Sequence, residues 1–200
     1  MKKGFIFILF VFLILMNEPL YAKTFKGRVI DAETREPIEG AVVVAKWLKE
    51  QATITGPSTR LRDVKEALTD KNGEWEIKGP KGRDMGNITA IFTFITGTYI
   101  TNPPEFIIFK PGYCPYGSLI DVCLRKMKPL GHDKVAEGVT VELVRLTKRE
   151  DRVRAIPSPI YFNGNPKELY KKQREFIKLI NEESRNFGLK EFPVPKELEK

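Results

Sequence analysis

The side chains that could carry redox or metal chemistry are few in this sequence. Cys114 and Cys123 are the only cysteines, and His132 is the only histidine. These three side chains leave a zinc site short of a ligand unless a carboxylate joins them. A redox pair of cysteines usually lies closer in sequence. In an exported protein, two cysteines at this spacing predict a disulfide, with free thiols or redox chemistry as the alternative.

No catalytic constellation is visible in the sequence. His132 lies in the stretch PLGHDK, where a histidine is typical of a solvated side chain. The sequence has no Gly-x-Ser-x-Gly motif to support a Ser-His-Asp triad. The glycine-rich residues 79–86 lack the spacing of a phosphate-binding P-loop. We therefore predict no catalytic residue, no cofactor and no metal site.

One turn carries oxygen atoms at alternate positions, as the start of a calcium loop does. The residues are Asp70, Asn72 and Glu74. A complete calcium loop needs further oxygen ligands and a closing glutamate, and lysines stand where acidic ligands would help. Asn72 and the glycine after it are typical of a tight turn between paired strands. We therefore predict a hairpin whose strands are residues 64–69 and 74–78.

The first residues of the chain predict export. Lys2 and Lys3 precede an apolar run over residues 4–16, and residues 20–22 end in a small side chain. This pattern is typical of a secretory signal peptide. The apolar run is shorter than the roughly 20 residues of a membrane-spanning helix. We expect a periplasmic or secreted protein, with an uncleaved anchor in the inner membrane as the alternative.

The net charge of +8 at pH 7 raises the question of nucleic-acid binding. The lysines and arginines are interspersed with acidic residues along most of the chain and form no basic stripe. Together with export, this distribution argues against a nucleic-acid partner. It favours weak attraction to anionic surfaces of the cell envelope.

The stretch after the predicted signal peptide has the period of a strand. Phe25, Gly27 and Val29 alternate with Lys26, Arg28 and Ile30, which predicts a strand with one buried face. Residues 31–40 are turn formers, and residues 41–47 predict a second strand that is covered on both faces. Further strands are predicted at residues 88–100, 105–110 and 139–146, the last buried on both faces in its middle, and a long loop is predicted at residues 49–63.

Three motifs follow one another in a fixed order within residues 23–145. They consist of Gly27, Val29, Asp31, Thr34, Pro37, Ile38, Gly40, Ala41 and Val43, then Thr69, Asp70, Gly73 and Trp75, and finally Lys110, Gly112 and Tyr113. In this arrangement the chain resembles the carboxypeptidase regulatory-like domain family, as found in bacterial exported proteins. The resemblance implies a mostly β, transthyretin-like Greek-key sandwich of about seven strands.

The resemblance indicates a fold more than a function, because such domains are accessory modules beside many unrelated activities. The metallocarboxypeptidases that carry them use a zinc site of two histidines and a glutamate, which a single histidine cannot supply. The resemblance therefore implies no enzyme here. An exposed row of aromatic residues would favour glycan binding, and the candidates for it are Trp47, Tyr113 and Tyr116.

A C-terminal amphipathic helix is predicted at residues 165–188. Asn165 suits the N-cap and Pro166 the first helical position. One face of this helix is apolar and the other is basic. The apolar face either packs back onto the sandwich or docks on a partner protein or a membrane surface. The apolar positions that would make this contact are Leu169, Phe176, Ile180 and Phe187.

We therefore expect a non-catalytic exported module for binding or scaffolding in the cell envelope. Its partner would be an envelope protein or a glycan. The alternatives are an accessory subunit of an envelope hydrolase and a carbohydrate-binding module. The predicted organisation is a signal peptide (1–22), the sandwich domain (23–146), a linker (147–164), the helix (165–188) and a tail (189–200).

Overall fold

The computed structural model describes residues 22–53, 56–80, 100–118, 120–127, 130–161 and 166–195. Within them the strands are β1 (Thr24–Asp31), β2 (Val42–Thr53), β3 (Gly56–Leu68), β4 (Glu74–Lys78), β5 (Ile100–Thr101), β6 (Glu105–Phe109) and β7 (Thr140–Leu143). The helices are α1 (Asp121–Leu124), α2 (His132–Ala136), α3 (Arg149–Arg154), α4 (Pro166–Lys172) and α5 (Arg174–Asn186). The predicted signal peptide, the predicted N-cap Asn165 and nearly all of the predicted strand 88–100 lie outside the described residues.

The strands form two small sheets, which confirms the prediction of a β-rich fold. In the first sheet β1 lies between β4 and β7, antiparallel to β4 and parallel to β7. In the second sheet β2 is central, with β3 on one side and β5 and β6 on the other. All of the pairings of β2 are antiparallel.

The two sheets share one apolar core. Phe25 and Val29 of β1 point into it from the first sheet, and Phe106 and Ile108 of β6 from the second. The exposed Lys26 and Arg28 alternate with these β1 residues, as predicted, but Ile30 on the same face as Lys26 and Arg28 is buried, so the one-sided burial of β1 does not extend to its end. Aromatic rings from both sheets meet at centroid separations of 5.5 to 6.1 Å, in the pairs Phe25 with Trp47, Phe25 with Phe106 and Trp75 with Phe106.

Strand β2 is buried on both faces over residues 42–45, as its run of β-branched residues predicts for part of its length. Val43 and Ala45 belong to the core between the sheets. Val42 and Val44 point the other way and pack against Phe176 of α5. Helix α5 therefore covers the outer face of the second sheet, which is why four consecutive residues of β2 have no solvent exposure.

Most of the loop predicted at residues 49–63 is strand. Residues 49–53 continue β2 and residues 56–63 belong to β3, and the two strands remain paired from Val42 and Leu68 out to Thr53 and Gly56. The polar composition that suggested a loop is compatible with paired strands. The hydrogen bonds between β2 and β3 satisfy the backbone, so the side chains there do not need to be apolar.

The predicted hairpin at the Asn72 turn is also wrong. The turn is formed, with Gly73 at a φ of 73° and its amide donating to the Asp70 carbonyl oxygen at 2.9 Å. However, β3 pairs with β2 while β4 pairs with β1, so the turn carries the chain from one sheet to the other. A tight turn fixes a reversal of direction but does not decide which strands pair.

The later predictions hold in part. Strand β6 lies where the sequence predicts a strand, and helix α3 occupies part of the predicted linker at residues 147–164. Strand β7 is shorter than residues 139–146 and is buried on one face only, because Thr140 and Glu142 are exposed. The β7 side chains that alternate with Val141 and Leu143 meet solvent, whereas Val141 and Leu143 belong to the core between the sheets.

The predicted C-terminal helix is two helices with a break at Gln173. This buried residue has a φ of −137° and a ψ of 34°. Its side chain donates to the Ile160 carbonyl oxygen at 2.7 Å and accepts from the Ile160 amide at 2.8 Å. The two bonds fasten the break to the segment before α4, and the sequence pattern does not reveal them.

Candidate functional site

Asp31, at the end of the first sheet, is a buried carboxylate surrounded by hydrogen-bond donors. It lies at the last position of β1, and its Oδ1 accepts the amides of Glu33 and Thr34 at 2.8 and 3.0 Å. The Tyr113 hydroxyl donates to its Oδ2 at 3.0 Å, and an Arg145 nitrogen lies 3.5 Å from the same oxygen. Arg145 also donates to the Tyr113 hydroxyl at 2.8 Å.

These donors decide the protonation of Asp31. Burial alone would raise its pKa, because it removes water from the charged form. The two backbone amides, Tyr113 and Arg145 outweigh burial and lower the pKa below its ordinary value. Burial raises the pKa of Tyr113. The arrangement therefore holds an anion whose oxygens already have donors, and it leaves no free base or nucleophile.

Glu183 of α5 is a second buried carboxylate with its own partners. Arg152 of α3 donates to both of its oxygens, at 2.9 and 2.7 Å. The Gly112 amide donates to Oε1 at 3.3 Å. This hydrogen bonding to Glu183 also raises the pKa of the Arg152 guanidinium. The pair joins α3, α5 and the turn after β6, so its evident role is to hold these elements together.

Glu66 of β3 caps the start of α5 from another element. Its two oxygens accept the amides of Glu175 and Phe176 at 2.8 and 3.0 Å. Burial raises the pKa of Glu66, and the two amides oppose that rise without cancelling it. This contact satisfies amides that have no partner within the helix. It replaces the local side-chain cap, which Gln173 does not provide.

The two cysteines pair as predicted. Cys114 and Cys123 form a disulfide, with Cα atoms 5.4 Å apart, and both are buried. Leu146 and Ala155 pack around them in a small separate cluster. No group of three or more metal-ligating side chains occurs among the described residues. His132 begins α2, and its side chain lies outside the described part of the chain.

The aromatic residues considered for glycan binding do not form an exposed row. Trp47 and Tyr116 are buried in the core between the sheets. Tyr113 is half-buried, and the Arg145 guanidinium lies over its ring at 5.3 Å. None of these three rings therefore offers a free face on which a sugar could stack.

The four apolar residues predicted as a partner contact lie against the chain itself. Phe176 and Ile180 pack on β2 and β3 in the cluster beneath α5. Leu169 of α4 is buried as well. Phe187, just after α5, is half-buried and has the guanidinium groups of Arg149 and Arg152 over its ring, at 5.4 and 5.0 Å. Of the two predicted positions for this helix, the structure has the one on the sheet.

The polar side of α5 borders a cleft, which we call the tail cleft. It lies between α5 and the segment that follows Leu189, and its volume is about 510 Å³. Two side chains of the helix hold that segment in place. Asn181 accepts from the Phe192 amide and donates to its carbonyl oxygen, and Arg185 binds Glu191. The lining residues are Tyr170, Arg174, Lys178, Asn181, Glu182, Arg185, Glu191 and Val194.

A second groove, which we call the sheet groove, runs beside β1 and β4 with a volume of about 550 Å³. Lys26 and Glu76 pair across the two strands at 2.8 Å. The Trp75 indole lies so close to Gly27 that a Cβ there would be 2.7 Å from the ring. Its buried N–H has no hydrogen-bond partner in the described residues. The lining residues are Lys26, Gly27, Arg28, Ala67, Leu68, Asp70, Glu74, Trp75, Glu76 and Gly138.

Sequence reasoning missed most of the residues that shape these features. Asp31 and Tyr113 appear in the family-like motifs, but nothing in the sequence links them to Arg145. The contacts of Glu66 and Glu183 join residues far apart in the chain, and no local pattern reports them. The basic side of the C-terminal helix is the one signal that pointed to the tail cleft.

Comparisons of the chain with protein-family models, with curated proteins and with solved structures found no match. Among the described residues, no helix has both the length and the apolar composition needed to cross a membrane.

Proposed function

We propose that this protein is a non-catalytic module of the cell envelope that binds or scaffolds another envelope component. We also propose that its two sheets form a transthyretin-like Greek-key sandwich of the carboxypeptidase regulatory-like kind. The order of the family-like motifs and the shared core of the two sheets support this assignment. The predicted signal peptide supports export.

One observation carries the functional proposal: the carboxylates withdrawn from solvent are engaged by the chain's own donors. Asp31 and Glu183 are the buried acidic residues of the described part, and both accept several hydrogen bonds. Glu66 is half-buried and accepts the amides at the start of α5. A general base or nucleophile needs a free lone pair directed at a substrate. These groups stabilise the fold instead.

The surface features that remain open suit binding. Charged side chains make up half of the residues that line the sheet groove and more than half of those that line the tail cleft. Their volumes lie within the range of about 300 to 1,000 Å³ that is usual for ligand sites. A module that contacts a partner through such surfaces needs no buried reactive group.

Site-specific photo-crosslinking in living cells tests the proposal. A photoreactive residue placed at exposed positions such as Tyr161 and Leu124 reports what lies beside each surface of the full chain. We expect one envelope component to be captured repeatedly from neighbouring positions and not from the opposite side of the molecule. A captured hydrolase would make this chain its accessory subunit. Turnover of an envelope polymer by the purified chain alone would contradict the proposal, as would the absence of any position-dependent crosslink.

A further inference from the structure

We infer that the tail cleft is a binding site for a phosphate group. The inference deepens the proposed function, on which it rests, by assigning one of the open surfaces to a ligand of defined chemistry. The fixed walls of the cleft and the charges that line it support this assignment.

The walls of the tail cleft are fixed by paired contacts. The Phe192 amide donates to Asn181 at 2.7 Å, and Asn181 donates back to the Phe192 carbonyl oxygen at 3.0 Å. Arg185 donates twice to Glu191, at 3.1 and 2.8 Å. The segment after α5 is therefore held along the helix in one position. A site whose walls are held in advance loses less conformational entropy when a ligand binds.

Two cations in the cleft are available to a ligand. Arg174 and Lys178 lie one helical turn apart, so their side chains leave α5 on the same side. Arg174 is exposed and forms no ion pair within the described residues. Lys178 lies 3.5 Å from Glu175, in a pair whose lysine side chain is 67% exposed. Such exposed pairs contribute little free energy, so Lys178 can turn to another anion at small cost.

The remaining charges leave the cleft positive. Among the described lining residues, Arg185 and Glu191 neutralise each other, which leaves the two available cations against the carboxylate of Glu182. Glu175, the partner of Lys178, does not line the cleft. The sheet groove has the opposite balance, with Lys26 and Arg28 against Asp70, Glu74 and Glu76. Of the two open surfaces, only the tail cleft therefore has the charge of an anion site.

A phosphate fits this arrangement better than a carboxylate. The planar guanidinium of Arg174 can donate two parallel hydrogen bonds to phosphate oxygens, while Lys178 acts as a point charge. A phosphate monoester carries about −1.5 to −2 charge and three acceptor oxygens, enough to engage both cations together. A phosphate diester, such as a phospholipid headgroup, offers the same kind of oxygens with less charge.

The experiment uses the full chain purified as the cell produces it, with two matched double variants. The test variant is Arg174→Gln with Lys178→Gln. The control variant is Lys71→Gln with Lys134→Gln, which removes the same charge at exposed positions outside the cleft. Binding of inorganic pyrophosphate is measured by titration calorimetry, and binding to phosphatidylglycerol vesicles by sedimentation, with phosphatidylcholine vesicles as the reference. Thermal unfolding of each variant checks that the fold is intact.

We expect saturable binding of one of the two probes that the test variant weakens by about tenfold or more and the control variant leaves nearly unchanged. Calorimetric binding identifies a soluble phosphate ligand. Binding to phosphatidylglycerol vesicles without binding of pyrophosphate identifies a lipid headgroup as the ligand. Equal losses in both variants would overturn the inference, because they would mean attraction by net charge alone. Absence of binding to either probe would overturn it as well. Position-dependent crosslinking would survive either failure, so the proposed function and this inference fail separately.

Discussion

Asp31 and Glu66 each accept two backbone amide hydrogens, yet their pKa values move in opposite directions. Burial is the largest influence at both sites, and it favours the neutral form of each carboxyl group. At Asp31 the Tyr113 hydroxyl and the Arg145 guanidinium add to the amides and lower the pKa. At Glu66 no cation pairs with the carboxylate in the described residues, and the neighbouring Glu175 raises the pKa further.

The difference shows what each region requires of its carboxylate. The end of the first sheet is organised around a negative charge, because its donors converge on an anion. The start of α5 requires mainly oxygen atoms that accept the amides of Glu175 and Phe176, and a neutral carboxyl group can still accept one of them. Two carboxylates that each accept two backbone amides therefore contribute differently to stability.

Removal of the disulfide should destabilise the protein more than either carboxylate substitution. The double variant Cys114→Ala with Cys123→Ala opens a short loop, and we expect a loss of about 2 to 3 kcal/mol in the free energy of unfolding. Tyr113 directly precedes Cys114, so loss of the disulfide should also weaken the hydrogen bond that Tyr113 donates to Asp31. Urea unfolding measures the loss, and reduction of the wild-type protein should reproduce it. An unchanged midpoint would contradict the assigned role of the bond.

The variant Asp31→Asn tests the requirement for charge. It keeps one oxygen but places an amide donor near Arg145 and Tyr113, so we expect a loss of about 2 kcal/mol in urea unfolding at pH 7. The folded pKa lies below the ordinary value of 3.8, so the charge stabilises the protein above that pH. The advantage of the wild type should therefore disappear as the pH falls below 3.8 through the folded pKa. A loss that does not change with pH would rule out the charge as its cause.

The matched variant Glu66→Gln should cost less, about 1 kcal/mol or below at pH 7, because glutamine retains an acceptor oxygen for the amides of α5. Here the sign of the pH dependence reverses. The folded pKa lies above the ordinary value of 4.5, so the wild type gains stability as the pH falls through the folded pKa toward 4.5. Unfolding measured across this range should favour the wild type increasingly at lower pH. The opposite trend would mean that Glu66 depends on its charge as Asp31 does.

The smallest expected effect on stability belongs to the tail cleft. Arg174 and Lys178 are exposed, so the double glutamine variant should unfold within about 0.5 kcal/mol of the wild type. Urea unfolding at the same pH provides the comparison with the two carboxylate variants. A loss near that of Asp31→Asn would show that the cleft cations stabilise the fold and are not reserved for a ligand.

The same contrast explains how much the sequence could predict. Periodicity predicts β1, and the density of β-branched residues predicts the double burial of β2, because both depend on neighbours along the chain. Neither pattern can assign β4 to the first sheet, because a turn such as the one at Gly73 can join two paired strands or lead the chain into the other sheet. The contacts of Asp31 with Arg145 and of Glu66 with α5 depend on packing between distant segments. The tail cleft depends on the Asn181 contact with Phe192, for which the sequence has no signal.

A carbon-detected NMR titration of the side-chain carboxyl groups tests the central claim most directly. That claim is that the withdrawn carboxylates serve the fold and are not free for chemistry. We predict that Asp31 titrates below 3.8 and Glu66 above 4.5 in the folded protein. The Asp31→Asn and Glu66→Gln variants assign the two resonances. An Asp31 pKa above its ordinary value would contradict this role, because it would mean that the amides, Tyr113 and Arg145 do not hold the anion.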